Sequence, residues 1–138
     1  MTASAPRLAL RRWCSFVLAG VALVGCSHGV QVGSVRGTVT YRGQPLAGIK
    51  VTFDPRAGGR SSTGLTGADG GYELNYTRGR KGALVGTHDV RVNWPAQTAE
   101  DLAKRDTYPI SAAYNTATTL TFDVKRGSNT CDLSIGSP

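Results

Sequence analysis

Histidine and cysteine are scarce in this sequence. Its 138 residues include two histidines, His28 and His88, and three cysteines. A zinc site with several histidine ligands is therefore excluded, and a Ser-His-Asp triad would have to use His88. His88 alternates in phase with Val90 and Val92, which predicts a core or rim position for it. We expect no metal, no cofactor and no enzymatic activity.

An apolar run long enough to cross a bilayer, about 20 residues, is also missing. The longest run, residues 13–24, follows three arginines, as in a secretory signal peptide. It ends in Leu23-Val24-Gly25-Cys26, which resembles the lipobox of bacterial lipoproteins, where the cysteine is acylated before cleavage. The resemblance implies a signal peptide over residues 1–25 and lipid on Cys26. The alternative is an ordinary secretory signal in which Cys26 is incidental.

The remaining cysteines cannot form a disulfide within the mature chain. Cys14 leaves with the signal peptide and Cys26 carries the lipid, so Cys131 is the single thiol left. Cys131 alternates in phase with Leu133 and Ile135. This pattern predicts a small buried side chain rather than a reactive nucleophile.

The sequence has no dense run of charge. The formal net charge is +7, but Arg7, Arg11 and Arg12 precede Cys26, which leaves 13 basic residues against nine acidic ones, a net charge of +4. This balance gives solubility and a weak attraction to anionic surfaces, without the footprint of a nucleic-acid-binding protein. We interpret the basic run at residues 78–81 as a solvated turn rather than a phosphate site.

Alternation of apolar and polar residues dominates the chain from Val35 onward, and it predicts strands with one buried face. About seven such runs are separated by turn signals such as Asp69-Gly70-Gly71. The predicted fold is therefore an all-β sandwich. The residues predicted to face its core are Val35, Gly37, Val39, Tyr41, Ile49, Val51, Phe53, Tyr72, Leu74, Tyr76, His88, Val90, Val92, Trp94, Leu120, Phe122, Val124, Cys131, Leu133 and Ile135, with a weaker strand over residues 62–66.

Residues 95–115 form the one long connection, and long loops often carry function. Thr98 and Asp101 predict a capped helical turn through Lys104. Trp94, Tyr108 and Tyr114 flank this loop and form a candidate contact surface. The alternative, which we favour, is that these three aromatic residues cover the edge of the sandwich.

Three segments resemble the carboxypeptidase regulatory-like domain, a transthyretin-like Greek-key β-sandwich. They are residues 35–39, 43–53 and 66–72, with sequences VRGTV, GQPLAGIKVTF and TGADGGY. The resemblance continues in GTHDVRV at residues 86–92, although His88 stands where the family usually has an aromatic residue. These motifs are structural, because their glycines serve turns between strands, and so they imply a fold more than a function.

These observations predict a signal peptide over residues 1–25, a flexible tether over 26–34 and a β-sandwich domain over 35–138. The expected function is a non-enzymatic, lipid-anchored protein of the cell envelope, facing the periplasm or the exterior, whose domain is structural or contacts other envelope proteins. A second hypothesis is a binding module for a glycan or small ligand that uses Trp94, Tyr108 and Tyr114. A third is an envelope hydrolase.

Overall fold

Strands form most of the regular structure in the computed structural model, which describes residues 29–95 and 97–136. The predicted signal peptide, Cys26 and His28 lie outside the described residues. The strands are β1 (Val32–Tyr41), β2 (Gln44–Pro45), β3 (Lys50–Pro55), β4 (Ser62–Leu65), β5 (Gly71–Glu73), β6 (Asn75–Thr77), β7 (Arg80–Lys81), β8 (Ala83–Leu84), β9 (Gly86–Asn93), β10 (Thr121–Val124), β11 (Ser128–Thr130) and β12 (Leu133–Ile135). One α-helix, α1 (Ala99–Thr107), and a 3₁₀ helix (Ala112–Tyr114) interrupt them.

The first sheet is built around β1. Arg36 in this strand pairs with Glu73 of the antiparallel β5 on one side and with Thr130 of the parallel β11 on the other. Farther along, β12 pairs with β1 in parallel, whereas β2 and β8 pair with it antiparallel. Strand β1 therefore pairs with every other strand of the first sheet.

The second sheet has the strand order β10-β9-β3-β4-β6-β7 and is antiparallel throughout. Leu74, fully buried, links β5 in the first sheet to β6 in the second. The chain crosses between the sheets again where Asn129 closes the turn after β10. Its side chain accepts from Lys125 N (2.9 Å) and donates to Ser34 O (3.0 Å).

The core lies between the two sheets, which confirms the predicted all-β sandwich. Each of the seven predicted runs overlaps at least one of the observed strands, and most of the residues predicted to face the core are buried or pack against it. Two residues depart from the predicted alternation: Tyr76 is half-buried outside the core, and Thr52 is buried between Val51 and Phe53. The short strands β2, β7, β8 and β11 were not predicted. The buried apolar residues are Val35, Val39, Leu46, Ile49, Val51, Phe53, Tyr72, Leu74, Ala83, Val90, Val92, Trp94, Val124, Cys131, Leu133 and Ile135.

Three boundaries differ from the sequence prediction. Strand β1 begins at Val32, inside the segment predicted to be a tether, because Val32 and Gly33 pair with β8. The turn signal Gly43-Gln44-Pro45 predicts a turn at those three residues, but the first hairpin turns at Arg42 and Gly43, with φ angles of 48° and 83°, as in a type I′ turn. Helix α1 continues past Lys104 to Thr107.

Among residues 29–95 and 97–136, neither helix has the length and apolar character of a membrane-spanning helix.

Candidate functional site

The start of the described chain is fixed to the sandwich. The Val85 amide donates to the Gln31 carbonyl (3.0 Å), and the Arg80 guanidinium donates to the Val30 carbonyl (2.8 Å). Val30 follows the predicted lipid attachment site, Cys26, by four residues, which span at most about 14 Å. We call the end of the sandwich at which β1 begins the N-terminal end. A lipid on Cys26 would hold this end next to a membrane.

The three aromatic residues of the candidate contact surface lie at the opposite end, which we call the loop end. Trp94 is only 7% exposed, and its Nε1 donates to the Tyr108 carbonyl at 3.0 Å. The Tyr108 ring packs edge-on against Tyr41 with 5.5 Å between centroids, and Tyr114 is half-buried against the core. Trp94 is therefore a core residue, and Tyr108 alone of the three is exposed.

A cleft of about 550 Å³ lies beside this loop. The buried Trp94 contributes to its wall, and the polar side chains that line it are Asn93, Arg105, Asp106 and Asn115. Helix α1 positions Arg105 and Asp106, and its capping box fixes where that helix begins. Thr98 Oγ1 accepts from Asp101 N (3.1 Å), while the Asp101 carboxylate accepts from Thr98 N (3.0 Å). The cleft therefore offers hydrogen-bond donors and acceptors, and one side chain of each charge, to a polar ligand.

His88 is completely buried, as the alternation predicts. Its Nδ1 lies 2.9 Å from the Gly86 carbonyl, which can only accept, so Nδ1 donates this hydrogen bond. The ring packs against Phe53 at 5.7 Å between centroids, and Nε2 has no partner among the described residues. A general base must be within hydrogen-bond reach of the proton that it removes. This geometry gives His88 a packing role.

Cys131 is also buried, at 7% exposure. Burial raises the pKa of its thiol above the usual value, which disfavours the reactive thiolate. The Tyr72 hydroxyl donates to the Cys131 carbonyl at 2.6 Å, and burial raises the pKa of Tyr72 as well. This hydrogen bond joins β5 to the segment between β11 and β12 across β1, so its role is structural.

The outer face of the first sheet carries a cleft for which the sequence has no motif. It measures about 650 Å³, and its charged lining residues are Arg36, Asp69, Glu73 and Asp132. Two of these carboxylates bind backbone: Asp132 accepts from the Thr38 amide (2.9 Å) and Asp69 from the Gly71 amide (2.9 Å). Among the described residues, no three His, Cys, Asp or Glu side chains are grouped to hold a metal ion.

No protein-family model matches this chain, and no curated protein matches it in sequence. Among solved structures, the crystal structure of a DUF3823 family protein from Parabacteroides merdae is similar to it, with a TM-score of 0.47 and 16% sequence identity. The similarity covers 77% of this chain and 46% of that one. The matched part of this chain therefore covers less than half of that protein.

Proposed function

We propose that this protein is a lipoprotein of the bacterial cell envelope, without enzymatic activity, in which lipid on Cys26 holds a structural or protein-contact β-sandwich at a membrane. The observation that carries the proposal is the short distance between the lipobox-like motif and the ordered domain. Only residues 27–29 separate Cys26 from Val30, whose carbonyl is already bonded to Arg80. Such an arrangement presents one fixed end of the domain to the bilayer.

The resemblance to the carboxypeptidase regulatory-like domain supports a structural role. Its motif residues have structural functions in this chain. Gly70 has a φ of 75° in the turn that Asp69 closes, and Gly37 leaves room for the Cys131 carbonyl. We therefore place the sandwich in that family as part of the proposal, with other envelope proteins as its expected contacts.

Mass spectrometry of the native protein tests the lipid anchor. We expect an N-terminal fragment that begins at Cys26 and carries acyl chains. Several chains would give firm binding, since each buried CH₂ contributes about 0.8 kcal/mol. Cys26→Ser should release the protein from membranes or leave an uncleaved precursor, whereas Cys131→Ser should leave the anchor intact. A soluble mature chain that begins at another residue would refute the proposal.

A second candidate function, binding of a glycan or another polar small ligand, is favoured by the cleft at the loop end. Arg105 and Asp106 line it, and both are exposed. A glycan array with the purified protein tests this candidate, and Arg105→Ala should remove any binding. Trp94→Ala is unsuitable as the test because Trp94 is in the core. Binding that survives Arg105→Ala would exclude this cleft as the site.

A further inference from the structure

Three turns lie together at the N-terminal end of the sandwich. Residues 56–61 join β3 to β4, and a side chain at Gly59 would touch Leu84, the partner of Val32. Residues 78–79 join β6 to β7, next to Arg80 and its bond to Val30. Residues 125–127 join β10 to β11, and the Gly127 carbonyl accepts from the Ser34 amide at 2.8 Å. All three turns therefore surround the point where the chain enters the domain.

These turns, with β7, carry most of the basic residues of the domain. They are Arg56, Arg60, Arg78, Arg80, Lys81, Lys125 and Arg126, all of them exposed. Three of the seven are in ion pairs, Arg56 with Asp89, Lys81 with Glu73 and Lys125 with Asp123. The other four arginines have no acidic partner within the described residues. We call Arg60, Arg78, Arg80 and Arg126 the basic end cluster.

The loop end lacks this excess of positive charge. Around the C-terminal half of β1 and the adjoining start of β3, four basic residues stand against five acidic ones. They are Arg42, Lys50, Lys104 and Arg105 against Asp69, Glu100, Asp101, Asp106 and Asp132. Strand β1 has ten residues and spans about 33 Å, so the two charge distributions are separated by roughly the length of the domain. The domain is polarised along β1, with its positive end next to Cys26.

We propose that the basic end cluster binds the headgroup phosphates of anionic phospholipids in the membrane that anchors Cys26. This inference rests on the proposed lipid at that residue. This proposal replaces the interpretation of residues 78–81 as a solvated turn that binds no phosphate. A tether of at most about 14 Å allows the N-terminal end to come within a Debye length, about 8 Å, of the surface, where the attraction is only partly screened. Arginine matches phosphate with two parallel hydrogen bonds. Arg60 and Arg78 also line a common cleft of about 490 Å³.

This binding orients the domain on the membrane, whereas the lipid on Cys26 keeps the protein there. Acyl chains on Cys26 hold the protein at the membrane without help from charge. The basic end cluster adds a second point of attachment, whereas the loop end, which has no excess of positive charge, is not attracted to the same lipids. The domain therefore stands on the bilayer along β1, with the 95–115 loop directed away from it. This exposes the loop-end cleft to the periplasm or the exterior.

A fluorescence-quenching experiment on the full lipidated chain tests this orientation. A dye on Gly79→Cys reports the basic turn, because a side chain at Gly79 meets nothing within 4 Å. A dye on Thr116→Cys, an exposed position directly after the long loop, is the control, and both variants carry Cys131→Ala. The protein is placed in vesicles of phosphatidylcholine, with or without phosphatidylglycerol, that contain a headgroup quencher. With phosphatidylglycerol we expect several-fold stronger quenching at 79 than at 116, and loss of the difference in high salt.

Charge reversal provides the matched comparison. Arg60→Glu, Arg78→Glu and Arg126→Glu together should abolish the preference for position 79. Arg42→Glu, Lys104→Glu and Arg105→Glu together change the net charge equally at the loop end and should preserve it. Equal quenching at both positions of a lipidated chain, or no effect of the first triple variant, would overturn this inference alone. A mass spectrum without lipid on Cys26 would refute the proposed function and this inference with it.

Discussion

Gly37 has no side chain, which allows β1 to lie close to the backbone between β11 and β12. A Cβ at this position would overlap the carbonyl group of Cys131, which is backbone and cannot move aside easily. We expect Gly37→Ala to destabilise the domain by about 3 kcal/mol or more, as for severe overpacking. Gly79→Ala is the control, with an expected change within about 0.5 kcal/mol. Urea denaturation measures both, and similar stabilities of the two variants would contradict the packing of β1 against Cys131.

Cys131 provides a test of the last strand's register. Its thiol is buried and its pKa is raised, so we expect slow labelling of the folded protein by a thiol reagent at neutral pH. Labelling should become fast in denaturant. Cys131→Ser should cost about 1 to 3 kcal/mol, because it buries a hydroxyl without an assured partner, and Cys131→Ala should cost less. Equal labelling rates in the folded and denatured states would show that the side chain faces solvent.

Tyr72 and Cys131 together predict how stability depends on alkaline pH. Burial raises the pKa of both groups above their usual values, 10.0 and 9.0. The folded state therefore holds these protons more tightly than the unfolded state does. Their contribution is complete below about pH 9 and is lost as the pH rises through the folded-state values. Urea unfolding between neutral pH and about pH 11 should show this loss, and Tyr72→Phe should make it shallower. An unchanged slope would argue against this role of Tyr72.

At the scale of elements, the stability of α1 depends on its N-terminal cap rather than on buried side chains. None of its residues is buried, and Thr98 and Asp101 supply a complete capping box. We expect Thr98→Ala to destabilise the helix by about 1 kcal/mol and to speed amide exchange across residues 99–107. The stability of the sandwich should hardly change, since the core does not depend on this helix. Thr98→Ser, which keeps the capping oxygen, is the control. A large fall in the melting temperature with Thr98→Ala would reveal that α1 supports the core.

At the scale of the whole molecule, a single core joins both sheets. Leu74 lies in this core where the chain crosses between them, so neither sheet has a separate interior. We expect one cooperative unfolding transition, with the same midpoint by tryptophan fluorescence and by circular dichroism. Reducing agent and chelator should leave the melting temperature unchanged. Two transitions, or a shift of several degrees with either reagent, would indicate a constraint other than this core.

Much of the fold could be predicted because alternation is a local property. Val90 and Val92 are buried while Asp89 and Arg91 are more exposed, as a period of two requires. The capping residues Thr98 and Asp101 also act within one helical turn. Pairing between distant segments has no such signal, so the parallel contacts of β1 with β11 and β12 were not predicted. The same applies to the hydrogen bond from Trp94 Nε1 to the Tyr108 carbonyl, which joins residues 14 positions apart.

The sequence alone determined the all-β class, the inward phase of most predicted strands and the lipobox-like motif at Cys26, because each depends on residues close together in the chain. Tertiary structure decided which ends of the strands meet. Arg60, Arg78 and Arg126 are separated by 18 and 48 positions and show no common pattern in the sequence. Folding brings their turns to one end of the sandwich, beside the start of β1, because antiparallel strands return to the same edge of the structure.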